Sequence, residues 1–191
     1  MTLLIAGLIL FLGIHSVSMV APGWRDAQLA RMGENAWKGL YSIFSLVGVV
    51  LLIYGYGQAR QSPVVLYAPP ASLRHLALLL MLPVFVLLLA TYLPGRIQRA
   101  ARHPTLLAVM LWGVAHLLAN GMLADLLLFG GFLLWAVADR IAVARRAVPH
   151  EVPSAPASAA NDVIAVIGGL TIYVVFLLWA HRWLIGVSPV G

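Results

Sequence analysis

Six histidines carry the side chains of this 191-residue chain that titrate near neutrality and ligate transition metals: His15, His75, His103, His116, His150 and His181. Their chemistry depends on depth, because an ionisable group inside a membrane segment is costly and by default marks function. At a rise of about 1.5 Å per residue, His15 lies about 18 Å into the first apolar stretch, and His116 about 16 Å into the fourth from the opposite side. In a hydrocarbon core about 30 Å thick, the two fall within about 5 Å of one depth. His75 and His181 sit at outer ends of their stretches, His103 at an inner mouth and His150 in a connecting segment.

Four chemistries fit a deep histidine pair. The imidazoles can be unrelated, each bonded to a neighbouring helix, or they can relay protons. They can hold a metal ion, although zinc would need two more ligands and the chain offers no cysteine and no deep carboxylate. Or they can fill both axial positions of haem b. Phe11 precedes His15 by one helical turn and Trp112 precedes His116 by one turn, so each histidine has an aromatic neighbour suited to a cofactor wall or to plain packing. Asn120 follows His116 by one turn, where Asn-Gly also caps a helix. Asp125 opens the next stretch, with His116, His75 and Arg74 as partners to consider. No Ser-His-Asp arrangement, phosphate loop or HExxH is present.

The elements that must position these residues are membrane spans. Hydrophobic residues make up 62% and charged residues 9%, against about 45–50% and about 25% in soluble domains. The expectation is an all-α polytopic membrane protein, a bundle of six transmembrane helices at residues 3–21, 39–57, 73–93, 105–120, 122–138 and 163–185. Pro83 should kink the third, and Asn120-Gly121 should join the fourth and fifth as a tight hairpin. Residues 23–37, with Trp24 and Trp37 among charges, read as an interfacial helix. Arg182, flanked by Trp179, His181 and Trp183, reads as an outer interfacial belt. Residues 1–191 then form a single domain with a flexible cytoplasmic linker at about 147–161.

Charge sets the orientation. Nine of the twelve basic residues follow the first, third and fifth spans, which places those loops in the cytoplasm and both termini in the periplasm, for a multi-pass protein of a bacterial inner membrane. The first span lacks a basic leading region and reads as retained. The net charge of +6 is thereby a topology signal. The expected partner is the lipid bilayer, not nucleic acid. The absence of cysteine excludes disulfides, thiolate metal sites and cysteine nucleophiles.

Several strings carry a family resemblance: Gly13-Ile14-His15-Ser16, Trp37-Lys38-Gly39-Leu40-Tyr41-Ser42, Tyr54-Gly55-Tyr56-Gly57 and Leu93-Pro94-Gly95-Arg96. Others are His103-Pro104, Trp112 through Gly121, Trp135 through Arg140, and Trp183 through Pro189. Together they make the chain similar to the NnrU family of bacterial membrane proteins, which is associated with nitrite and nitric oxide metabolism. The resemblance extends to the 15-cis-zeta-carotene isomerase, which shares the domain, binds haem b and changes an axial ligand on reduction. It implies haem b between spans one and four, His15 and His116 as axial ligands, Phe11 and Trp112 as walls, and Asn120 close by. It also implies redox-dependent cis–trans isomerisation of a lipophilic polyene. The alternative is a non-enzymatic haem sensor or accessory protein of denitrification. The isomerase has a cysteine three residues before the histidine that matches His116; Gly113 stands there in this chain. A more distant likeness to isoprenylcysteine carboxyl methyltransferases rests on Arg102-His103-Pro104 alone.

Overall fold

The computed structural model describes residues 1–145 and 154–190. Apolar runs bounded by Gly, Pro and polar residues become helices, because in lipid each backbone group has to be satisfied within its own segment. In chain order these are α1 (Thr2–Val20), α2 (Pro22–Met32), α3 (Glu34–Ala59), α4 (Ala71–Ala90), α5 (Arg96–Ala101), α6 (Pro104–Ala119) and α7 (Leu123–Ala144). The last helix, α8 (Ala160–Val175), continues through a π-helical turn (Phe176–Ala180) into α9 (His181–Ile185). Five helical segments are long and apolar enough to cross a membrane, and α6 is a shorter apolar helix. The protein is an all-helical polytopic membrane protein. Helices form at all six expected positions, the fourth being the shorter α6, and the segment expected at 23–37 divides at Gly33 between α2 and the first turn of α3, where Trp24 meets Trp37 edge-on.

Two compact units emerge, residues 1–68 with 120–146 and residues 69–119 with 147–191. In the first, α1 and α3 run antiparallel: Leu4 meets Gly55, Gly7 meets Leu52, and Phe11 meets Gly48. Small residues let two helix backbones touch, which is how helices associate in lipid without a hydrophobic driving force. Helix α7 joins them, with Gly131 against Leu8 and Leu12, and Ala124 in the core beside Leu4 and Leu52. Outward-pointing side chains such as Ile9, Ile43, Leu46 and Leu134 remain well exposed, as a lipid-facing surface requires.

In the second unit, α4 packs on α6 and α8. Gly169 of α8 lies on the backbone of Val86, and Val84, Leu87, Ala101 and Ala108 form the core. Helix α4 continues through Pro83, and the Tyr173 hydroxyl donates to the Leu78 carbonyl (3.0 Å) just before the turn that the proline weakens. The α4–α5 corner is clamped from α8. Asp162 accepts the N–H groups of Arg96 (2.8 Å) and Ile97 (3.0 Å), satisfying donors at the start of α5. Asn161, 5% exposed, donates to the carbonyls of Pro94 (2.9 Å) and Pro156 (3.0 Å).

Of the expected linker, residues 147–153 lie outside the described residues, as does His150. The rest is held in place by Asn161 and by a bond from Ala155 N–H to the Tyr92 carbonyl (2.9 Å). Asn161→Leu keeps the size but strands two carbonyls, and is expected to lower stability by about 2 kcal/mol. Thermal unfolding in detergent checks this; an unchanged midpoint would show that the clamp carries no weight.

Candidate functional site

His15 stands on α1 at the centre of an aromatic cluster within the first unit. Phe11, one turn earlier, stacks on its ring at 4.2 Å and 29°. Tyr41 of α3 lies at 5.1 Å, and Trp135 of α7 is edge-on at 6.1 Å. These neighbours follow from the α1–α3 register, which sets Phe11 against Gly48 and so brings the next turn of α1 to Tyr41. His15 Nδ1 is 2.7 Å from the Phe11 carbonyl. A carbonyl only accepts, so Nδ1 carries the proton and the lone pair resides on Nε2. Trp135 Nε1 and Ser45 Oγ are buried and meet no hydrogen-bond partner among the described residues.

His116 stands on α6, near its C-terminal end, within the second unit. Its Nδ1 donates to the Trp112 carbonyl at 2.9 Å, which sets the same tautomer as in His15. The Trp112 ring is 5.1 Å away at 50°. Beside it lies a residue that sequence reasoning assigned to an interfacial belt: the His181 ring is 6.5 Å from that of His116, with planes 24° apart. Trp179 and Trp183 do remain exposed. His181 departs from them because of the π-helical turn, in which its N–H bonds the carbonyl of Phe176, five residues back. Phe176 faces Phe85 of α4 (5.1 Å). In an unbroken α-helix the position one turn further along that face would be Ala180; the extra residue turns the remainder of the helix by about 100° and brings His181 there instead.

The remaining residues singled out in the sequence fall into place by unit. Phe11 is beside His15 and Trp112 beside His116, each histidine described within its own unit. The Asn120 carbonyl accepts from the Tyr67 hydroxyl (2.7 Å). The adjoining turn is braced by the outer loop, with Leu66 and Tyr67 N–H on the Gly121 carbonyl and Leu123 N–H on that of Val64. Burial first, and then the negative charge of Asp125, raise the Tyr67 phenol above its ordinary range. It therefore stays a donor at neutral pH.

Asp125 is described within its own unit, whereas His116, His75 and Arg74 belong to the other. Asp125 is 0% exposed, and its carboxylate accepts from Tyr56 O–H (2.6 Å) and Met122 N–H (2.8 Å). The Tyr-Gly-Tyr-Gly string hinted at neither contact, although its Gly55 packs on α1 and its Tyr56 reaches α7. His103 lies between α5 and α6, just after Arg102, whose φ of 60° is the one positive value at a non-glycine among the described residues.

Chemically, His15 and His116 each have Nδ1–H on a carbonyl and the lone pair on Nε2, beside aromatic rings. Among the described residues no group of three or more His, Cys, Asp or Glu gathers. That donor set suits a metal centre bringing its own remaining ligands better than a bare ion. A family model described as NnrU protein matches residues 3–189. Among curated proteins and solved structures, none matches the chain.

Proposed function

This chain belongs to the NnrU family, and we propose that it is an integral membrane haem-b-binding protein with His15 and His116 as imidazole ligands. The observation that carries the reading is the shared tautomer. Both histidines donate Nδ1–H to the carbonyl one turn earlier (2.7 and 2.9 Å), keeping the lone pair on Nε2. A carbonyl at Nδ1 is how proteins orient a metal-ligating imidazole and raise its basicity. Phe11, Tyr41, Trp135 and Trp112 supply apolar walls, and the buried Trp135 Nε1–H is a donor suited to an acceptor on a ligand. When bound, haem b would supply a redox-active iron. The chain's own residues hold and orient it and keep water away.

The activity proposed for this site is redox-dependent cis–trans isomerisation of a lipophilic polyene. Gly113 is buried in α6 and the chain has no cysteine, so any exchange of axial ligand proceeds without a thiolate. That same feature favours a second reading, a haem sensor or accessory protein of nitrite and nitric oxide metabolism, in which a displaceable ligand admits a diatomic gas. A bacterial inner membrane with both termini periplasmic is the location proposed with this reading, supported by the bias of the basic loops.

Protein expressed with ample haem is expected to show a Soret band and, after dithionite, the sharp α and β bands of bis-imidazole haem. His116→Ala is expected to lower the haem retained through purification at least tenfold, a loss of roughly the size seen even for outer partners of a metal site. A wild-type preparation with no Soret band would reject haem. Given haem, turnover of a 15-cis polyene under reduction favours the isomerase, and nitric oxide binding without turnover favours the sensor.

A further inference from the structure

The second unit contains a feature that the deep pair did not anticipate: a second imidazole beside His116 on a separate helix. We infer that His181 is an alternate axial ligand for the metal that His116 holds, able to take the opposite coordination position in place of His15. The identity of the metal rests on the haem reading; the pairing rests on geometry.

The distance comes first. When two imidazoles ligate one metal from opposite sides, metal–nitrogen bonds of about 2 Å and the ring dimensions separate the centroids by about 6 Å. The His116 and His181 rings are 6.5 Å apart, with planes 24° from parallel. The tautomers come second. His181 Nδ1 donates to the Val187 carbonyl at 2.7 Å, so its lone pair, like that of His116, resides on Nε2. That bond requires the chain to fold back after α9. It does so at Gly186, whose φ of 79° is a left-handed conformation that glycine adopts without penalty.

The third observation is local. His181 reaches this face through the π-helical turn at Phe176–Ala180, a rare distortion that is frequent at functional sites. Phe176 keeps the α4 contact on one side of that turn, and His181 takes the His116 contact on the other. Among the described residues no carboxylate joins the two imidazoles, and the chain has no cysteine, so most of a bare ion's positions would be unfilled. The two imidazoles are complete as the axial pair of a tetrapyrrole iron, which brings four equatorial nitrogens of its own.

Four proteins purified from haem-replete cells test this: wild type, His15→Ala, His181→Ala and the double variant, each read by absorption and electron paramagnetic resonance. The expected result is low-spin, six-coordinate iron in both single variants and high-spin, five-coordinate iron in the double variant, restored to low spin by added imidazole. High-spin iron in His15→Ala alone would overturn the inference, as would low-spin iron in the double variant. His181→Phe, which keeps a ring against His116, guards against a misfolded alanine variant and should behave like it.

Absence of a Soret band in the wild type rejects the haem reading without deciding the pairing. Copper(II) added to that haem-free protein then decides it. A spectrum with two nitrogen ligands that loses one in His181→Phe supports the pair, and a spectrum unchanged by that substitution overturns it.

Discussion

Replacing Gly55 by leucine is expected to destabilise the protein by about 3 kcal/mol or more, whereas the same change at Gly57 is expected to be close to neutral. The two glycines lie two residues apart in one Tyr-Gly-Tyr-Gly string, so propensity arguments treat them alike. Packing separates them. A Cβ on Gly55 would land on the backbone nitrogen of Leu4 and the carbonyl carbon of Leu3, while one on Gly57 meets nothing within 4 Å. Backbone atoms cannot yield as a flexible side chain can, so α1 and α3 must separate. Leu4, fully buried at their crossing, then loses its contacts with Leu52. The register that sets Phe11 on Gly48, and His15 beside Tyr41, shifts with it. Melting of the two variants in detergent distinguishes the positions, since about 3 kcal/mol corresponds to roughly 6–12 °C in a chain of this size. Equal melting points for Gly55→Leu and wild type would remove the close α1–α3 crossing from the account.

The second large effect is expected at Asp125. Asp125→Leu leaves the Tyr56 hydroxyl and the Met122 N–H without their acceptor, each at a cost of about 1–3 kcal/mol, for a total of roughly 4 kcal/mol. Tyr56→Phe removes one donor and leaves the carboxylate its bond from Met122, so it should cost less, about 1–2 kcal/mol. In the double variant Tyr56→Phe with Asp125→Leu, the pair is replaced by apolar groups and part of the loss should return, because no buried hydroxyl is stranded. A double-mutant cycle on unfolding free energies reads this coupling directly. Strict additivity would show that the Tyr56–Asp125 bond contributes nothing, and that Asp125 acts only on the first turn of α7.

Much of this protein can be read without coordinates, for a definite reason. Whether a segment spans a membrane depends on its own composition, and the expected spans at residues 3–21 and 163–185 differ by only one to three residues from the helices that form. The interfacial helix and the partnership of Phe11 with His15 and Trp112 with His116 are equally local. They follow from i to i+4 spacing on one helix. Contacts between helices are different. Asp125 was matched to basic residues on charge grounds, yet it bonds a tyrosine 69 positions earlier. That pairing depends on how α3 is rotated, which sequence periodicity does not state.

His181 marks the boundary between the two kinds of information. By itself the sequence determined that this is a helical membrane protein of the NnrU type, with His15 and His116 each one helical turn after an aromatic residue and no cysteine in the chain. Hydropathy and helical spacing belong to each segment alone, and they survive any rearrangement of its neighbours. Only the tertiary structure decided which side chains meet. The glycine crossings set how closely α1 approaches α3 and in what register. One extra residue in the turn at Phe176–Ala180 rotates the end of the last helix by about 100°, taking His181 from an expected lipid belt to the side of His116. A π-helical turn has no compositional signature, because it reflects the balance of contacts on both sides of it.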